Sequence, residues 1–137
     1  TDFSGPSRAA LHATAALLPR CVLHVAHAFE LPFDGMLRAD VSAAAKQHYL
    51  DQAQRQLRGQ LHDLADQLGI AAARRVLHVE HGYPATCIER WAEALRAELV
   101  VLAAYGKSGL ERAVLGSVSL HTVANAGCDV LLLRGIE

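Results

Sequence analysis

Along the 137-residue chain, short apolar runs rich in Val and Leu alternate with stretches of helical periodicity. Four runs read as strands: "CVLHVAHAF" at 21–29, "RVLHVE" at 75–80, "ELVVLAA" at 98–104 and "DVLLLR" at 129–134. The last two are almost continuously apolar, which predicts burial of both their faces. From 41 to 68, Leu50, Ala53, Leu57, Leu61, Leu64 and Leu68 share one helical stripe, and Gly69 follows as a C-terminal stop. Gln52, Arg55, Gln56, Gln60 and Asp63 occupy the opposite, solvated face. Pro84 suits a first helical turn, with Ile88, Trp91, Ala92 and Leu95 at helix spacing behind it and Trp91 as a core anchor. A last helix is predicted to start near Ser117, bury Leu120, Val123 and Ala124, and end at Gly127.

This alternation predicts an α/β fold, a doubly wound open parallel sheet with helices on both faces. The opening is out of order, because "TDFSGPSRAALHATAALLP" reads as a helix capped by Ser4 or Ser7 and stopped after Leu18 by Pro19. An alternating fold opens with a strand, so a strand is expected before Thr1 or supplied from elsewhere.

Composition narrows the class. Hydrophobic residues make up 52% and charged residues 20%, with no linker-like stretch or repeat, which favours one folded domain over two. A formal net charge of -1 with mixed signs argues against a broad nucleic-acid or anionic-membrane footprint. No apolar run is long enough to cross a bilayer, so a soluble, cytoplasmic protein is expected. Cys21, Cys87 and Cys128 are odd in number and widely spaced, and read as reduced. Of the eight histidines, His24 and His27 are three apart on one strand and must point to opposite faces. Metal chelation would need a cross-strand pair such as His24 with His78, and satisfied histidines are the simpler reading. Ser117, His121 and Asp129 read as cap, helix surface and strand start, so no catalytic residue is assigned.

The candidate chemistry lies in "AAYGKSGLERAVLGSVS" at 103–119. "GKS" resembles the end of a Walker A loop, but Val101 stands where that motif needs glycine, and no G-x-G-x-x-G follows any strand. What remains is a strand end, Gly106 and Gly109 in a loop, and Gly116 with Ser117 opening a helix whose N–H groups and dipole favour an anion. Gly106 and Gly116 can take unusual dihedrals and let a ligand approach the backbone closely, and Lys107 adds positive charge. A glycine-softened turn between strand and helix accounts for the same residues, and spacing alone leaves both readings open.

"TDFS", "VLHVAHAF", "VVLAAYGKSGLERAVLGSVS" and "CDVLLLR", in that order, resemble the universal stress protein family over essentially the whole chain. The resemblance implies a five-stranded parallel sheet of the adenine nucleotide alpha hydrolase-like kind, with its central first strand before Thr1. It also implies a homodimer through the last strand, Asp129 to Arg134. One branch of that family binds ATP through G-x-x-G, nine residues, then G-[ST]. Here Gly106 takes the second glycine and Gly116 with Ser117 the end, while Ala103 replaces the first glycine. The resemblance thus implies ATP, with Mg2+, held at its phosphates by Gly106, Lys107, Gly116, Ser117 and Ser119. Asp2 and Val25 would lie by the adenosine, and Ala103, Ala104, Tyr105, Gly109 and Val118 in the same pocket. Glu111 and Arg112 stand in this loop as a solvated pair. The expected role is a stress-response or signalling module with at most slow hydrolysis. A structural dimer of the same fold that binds no nucleotide is the alternative that Ala103 keeps open.

Overall fold

The structure, a computed structural model, describes residues 1–31, 42–105 and 115–134. In chain order these form α1 (Gly5–Leu17), β1 (Leu23–Phe29), α2 (Ala43–Gln67), a 3-10 turn (Ala72–Arg74), β2 (Arg75–His81), α3 (Pro84–Ala94), β3 (Leu99–Ala103), α4 (Ser117–Asn125) and β4 (Asp129–Leu133). The fold is α/β with parallel strands. β1 lies parallel to β2, with Leu23 opposite Arg75 and Phe29 opposite His81. β3 lies parallel to β4, with Leu99 opposite Asp129 and Ala103 opposite Leu133. The strands thus form two parallel pairs. Helix α1, which follows the start of the chain, packs on β3, while α3 touches both β1 and α4.

The stripe along α2 buries as its spacing requires. Leu61, Leu64 and Ala65 pack with Leu23, Val25, Phe29, Ile70 and Val79 in one cluster, with Leu50, Ala53, Leu57 and Leu68 at its margin. Each fully buried Leu there stabilises the fold by roughly 1.5–3 kcal/mol. Gly69 stops the helix in a left-handed conformation at φ 68°, letting the Ile70 N–H reach the Ala65 carbonyl at 3.0 Å. At the end of β2, Gly82 has φ 154°, and a Cβ there would sit 2.9 Å from the Cys87 Sγ, so both backbone and space require glycine.

Three expectations are corrected. On α4 the buried residues are Ser119 and Thr122, whereas Leu120, Val123 and Ala124 are exposed. The small hydroxyl residues face inward because each satisfies its oxygen locally, Ser119 on the Ala103 carbonyl and Thr122 on the Val118 carbonyl, both at 2.9 Å. On α3, Ala85 and Cys87 are buried, Ile88, Trp91 and Ala92 are half-buried, and Leu95 is exposed, so Trp91 is a flank contact rather than a core anchor. β3 and β4 are half-buried, with Leu99 exposed, because each strand has one ladder partner among the described residues. The three cysteines are free thiols, with Cys21 exposed rather than packed.

The strand alternation of the histidines holds: His27 is buried and His24 exposed. His24 Nδ1 lies 2.9 Å from His78 Nε2 across the β1–β2 pair, close enough to share one proton. Burial, then the neighbouring His24, then Arg58, hold His78 below its ordinary value of 6.5. A histidine depressed in the folded state contributes stability above that value and loses it as pH falls. Denaturant midpoints measured at about pH 7.5 and about pH 5 should therefore fall more for the wild type than for His78→Gln. Equal losses would contradict the shared-proton pair.

Candidate functional site

Two clusters hold the candidate residues. The first is built on the opening residues. The Thr1 backbone nitrogen donates to the Ala26 carbonyl of β1 at 2.8 Å, which lays the start of the chain along that strand. Phe3 then turns the chain in a left-handed conformation at φ 63°, rare for a bulky residue and costing about 1–3 kcal/mol. Its N–H donates to Thr1 Oγ1 at 3.1 Å, and its ring lies 4.6 Å from that of His27. Ser4 caps α1 by accepting from the Ser7 N–H at 3.3 Å. Asp2 Oδ1 in turn accepts from the Ser4 N–H at 3.0 Å and from Ser4 Oγ at 2.5 Å. Asp2 thus supports the cap from outside the helix. Val25, also singled out from the sequence, buries its side chain in the core, so only its backbone can meet a ligand.

The second cluster joins β3 to α4. The Ala104 N–H donates to the Leu133 carbonyl and the Gly116 N–H to the Ala104 carbonyl, both at 2.9 Å. Ser119 Oγ donates to the Ala103 carbonyl. These bonds fold the end of β3 onto the first turn of α4, bringing Ala103, Ala104, Tyr105, Gly116 and Ser119 together, with Ser117 exposed and Val118 half-buried beside them. Gly116 is an extended N-cap, φ -62° and ψ 152°, and so uses none of the left-handed freedom open to glycine. A Cβ at Gly116 would make only ordinary contacts, 3.7 Å from the Ala104 carbonyl oxygen. Among the described residues no side chain caps α4. The N–H groups of its first turn thus have no side-chain acceptor among the described residues, and free N–H groups at a helix start suit an anion. Gly106, Lys107, Gly109, Glu111 and Arg112 lie outside the described residues.

Other chemistry is sparse. Among the described residues no group of three or more His, Cys, Asp or Glu is placed to hold a metal. His121 engages Glu89 of α3 at 2.6 Å. Among them, no helix is long and apolar enough to cross a membrane.

The Universal stress protein family model matches residues 1–134. The chain belongs to the universal stress protein family. A 71-residue stretch is 38% identical to universal stress protein MJ0531 of Methanocaldococcus jannaschii, covering 52% of this chain and 40% of that protein. Against universal stress protein E of Salmonella typhi, identity is 38% over 63 residues, 46% of this chain and 20% of that one. The match thus spans well under half the length of either relative. Among solved structures, protein MJ0577 superimposes with a TM-score of 0.76 at 16% identity, over 100% of this chain and 93% of that one. A universal stress protein in complex with cAMP gives 0.58 at 19% identity, over 98% and 89%. The AMP-bound family member of Arabidopsis thaliana gives 0.54 at 16%, over 93% and 76%. At these identities the superpositions speak for the fold.

The sequence pointed to Asp2 and to the Gly116–Ser119 turn, but not to Thr1, Ser7 and His27, which surround Asp2. The available signal was the run of hydroxyl residues in "TDFSGPS" together with a polar ring at an inward strand position. The inward bond of Ser119 has a measurable consequence. Ser119→Ala should lower stability by about 1 kcal/mol in chemical denaturation, with no change in secondary structure. An unchanged midpoint would show that this bond does not hold α4 to β3.

Proposed function

We propose that this chain binds an adenine nucleotide, ATP with Mg2+, and serves as a cytoplasmic stress-response or signalling module with at most slow hydrolysis. The observation that carries this reading is the turn from β3 into α4, where two bonds to Ala103 and Ala104 present a helix start that no described side chain caps. Phosphate suits that electrostatic end of a helix. Gly116, Ser117 and Ser119 would meet the phosphates together with Gly106 and Lys107, while Asp2 and the Val25 backbone would meet the adenosine. Ala103, Ala104, Tyr105, Gly109 and Val118 complete the same pocket in this reading. The relatives solved with cAMP and AMP support the adenine class of ligand.

The reading includes one more strand, preceding Thr1 and lying between β1 and β3 in a single domain. Two features support it: each of those strands has one partner among the described residues, and the Thr1 nitrogen already bonds to β1 as a ladder residue would. Such a strand would unite the pairs into one sheet and pair both inner edges.

A second reading, homodimer formation through β4, Asp129 to Arg134, is favoured by the exposed apolar face of Leu120 and Val123 on α4, which contacts β4. Nucleotide binding and dimerisation are compatible, and they separate by experiment. Calorimetry with ATP and Mg2+ should give micromolar binding that Gly116→Val weakens by about tenfold or more, since branched methyls would crowd the helix start without breaking the fold. Light scattering should give a dimer for the wild type and a monomer for Leu120→Lys. No heat at millimolar ATP from folded, ligand-free protein would overturn the nucleotide reading and leave the dimer surface as the working part.

A further inference from the structure

We infer that His27 is a positioning residue that sets the orientation of Asp2 through the backbone of Thr1. This rests on the reading of Asp2 as the adenosine-side carboxylate.

His27 is buried on the inward face of β1, where its neighbours at alternate positions are Val25 and Phe29. A polar ring among those residues requires partners. Its Nδ1 lies 2.8 Å from the Thr1 carbonyl oxygen, 26 residues away in sequence. A carbonyl only accepts, so Nδ1 carries the proton and donates. The bond fixes the ring's tautomer and ties β1 to the peptide unit that joins Thr1 to Asp2. The same residue is held twice more, by its nitrogen on Ala26 and by its hydroxyl against Ser7 Oγ at 2.8 Å.

The turn that follows would not hold itself. Phe3 is in the left-handed region, a conformation that persists for a bulky residue only where surroundings over-determine it. The His27 ring supplies two of the surrounding constraints: it bonds the residue two before Phe3 and packs against the Phe3 ring. Asp2 lies between those two points. With both flanks pinned to one imidazole, the carboxylate keeps a fixed direction, with Oδ1 turned back onto Ser4. Removing the ring frees the Thr1–Phe3 segment to relax, and the carboxylate moves with it. His27 itself needs no contact with the ligand.

Asparagine can place an N–H donor near the position of imidazole Nδ1, whereas leucine fills the space without a donor. His27→Leu should therefore weaken adenosine and ATP binding by about tenfold while leaving inorganic tripolyphosphate, which would engage only the α4 end, at wild-type affinity. His27→Asn should restore most of the adenosine affinity. Equal weakening of adenosine and tripolyphosphate would mean a general structural role and overturn the inference, as would undiminished adenosine binding in His27→Leu. Two readouts need no nucleotide. Long-range ¹H–¹⁵N spectra of the wild type should show a protonated Nδ1 on His27, and the ¹³C shift of the Asp2 carboxyl should move in His27→Leu but not in His27→Asn. A deprotonated Nδ1, or an unmoved Asp2 carboxyl, would overturn the inference even if the wild type proved to bind no ATP. That last result alone would instead refute the proposed function.

Discussion

The 2.8 Å bond from the Thr1 nitrogen to the Ala26 carbonyl is the contact on which the arrangement of this chain turns. It anchors the opening residues on β1, and α1, which begins four residues later, packs on β3. One end of the segment therefore belongs to one strand pair and its helix to the other. Within each pair the parallel strands direct their carboxyl ends to one side, and such a rim is where open α/β sheets receive ligands. Asp2 follows the residue bonded to β1, and the Ala103–Gly116 turn follows the end of β3. The cost of holding Phe3 in a left-handed turn is consistent with a demand for the placement of Asp2.

Much of the fold was legible because hydrophobic period fixes direction. The α2 stripe ran from Leu50 to Leu68, and its buried members, Leu61 and Leu64, lie in its C-terminal half and pack with residues of β1 and β2. Ser4 and Gly69 marked helix ends through chemistry that is local to the cap. The alternation of His24 and His27 followed from the two-residue period of a strand.

The burial pattern of α4 failed for one physical reason. Apolarity was taken to mean burial on α4, yet Leu120 and Val123 face outward while Ser119 and Thr122 face in. Small hydroxyl side chains allow a helix to approach a strand end closely and lose no hydrogen bond on burial, because each bonds a carbonyl within reach. No hydropathy scale carries that information. The same holds for His27, whose partner is a backbone carbonyl on a segment remote in sequence. Gly116 uses none of glycine's freedom, since its extended dihedrals suit any residue and a Cβ there would meet only ordinary contacts.

The central claim is that one ligand spans both clusters. Titrating ¹⁵N-labelled protein with ATP and following the backbone amides of Asp2, Val25, Ala104, Gly116 and Ser117 tests it most directly. The account predicts that amides of both clusters shift together along a single binding curve. Shifts confined to one cluster, or two curves with different midpoints, would contradict it.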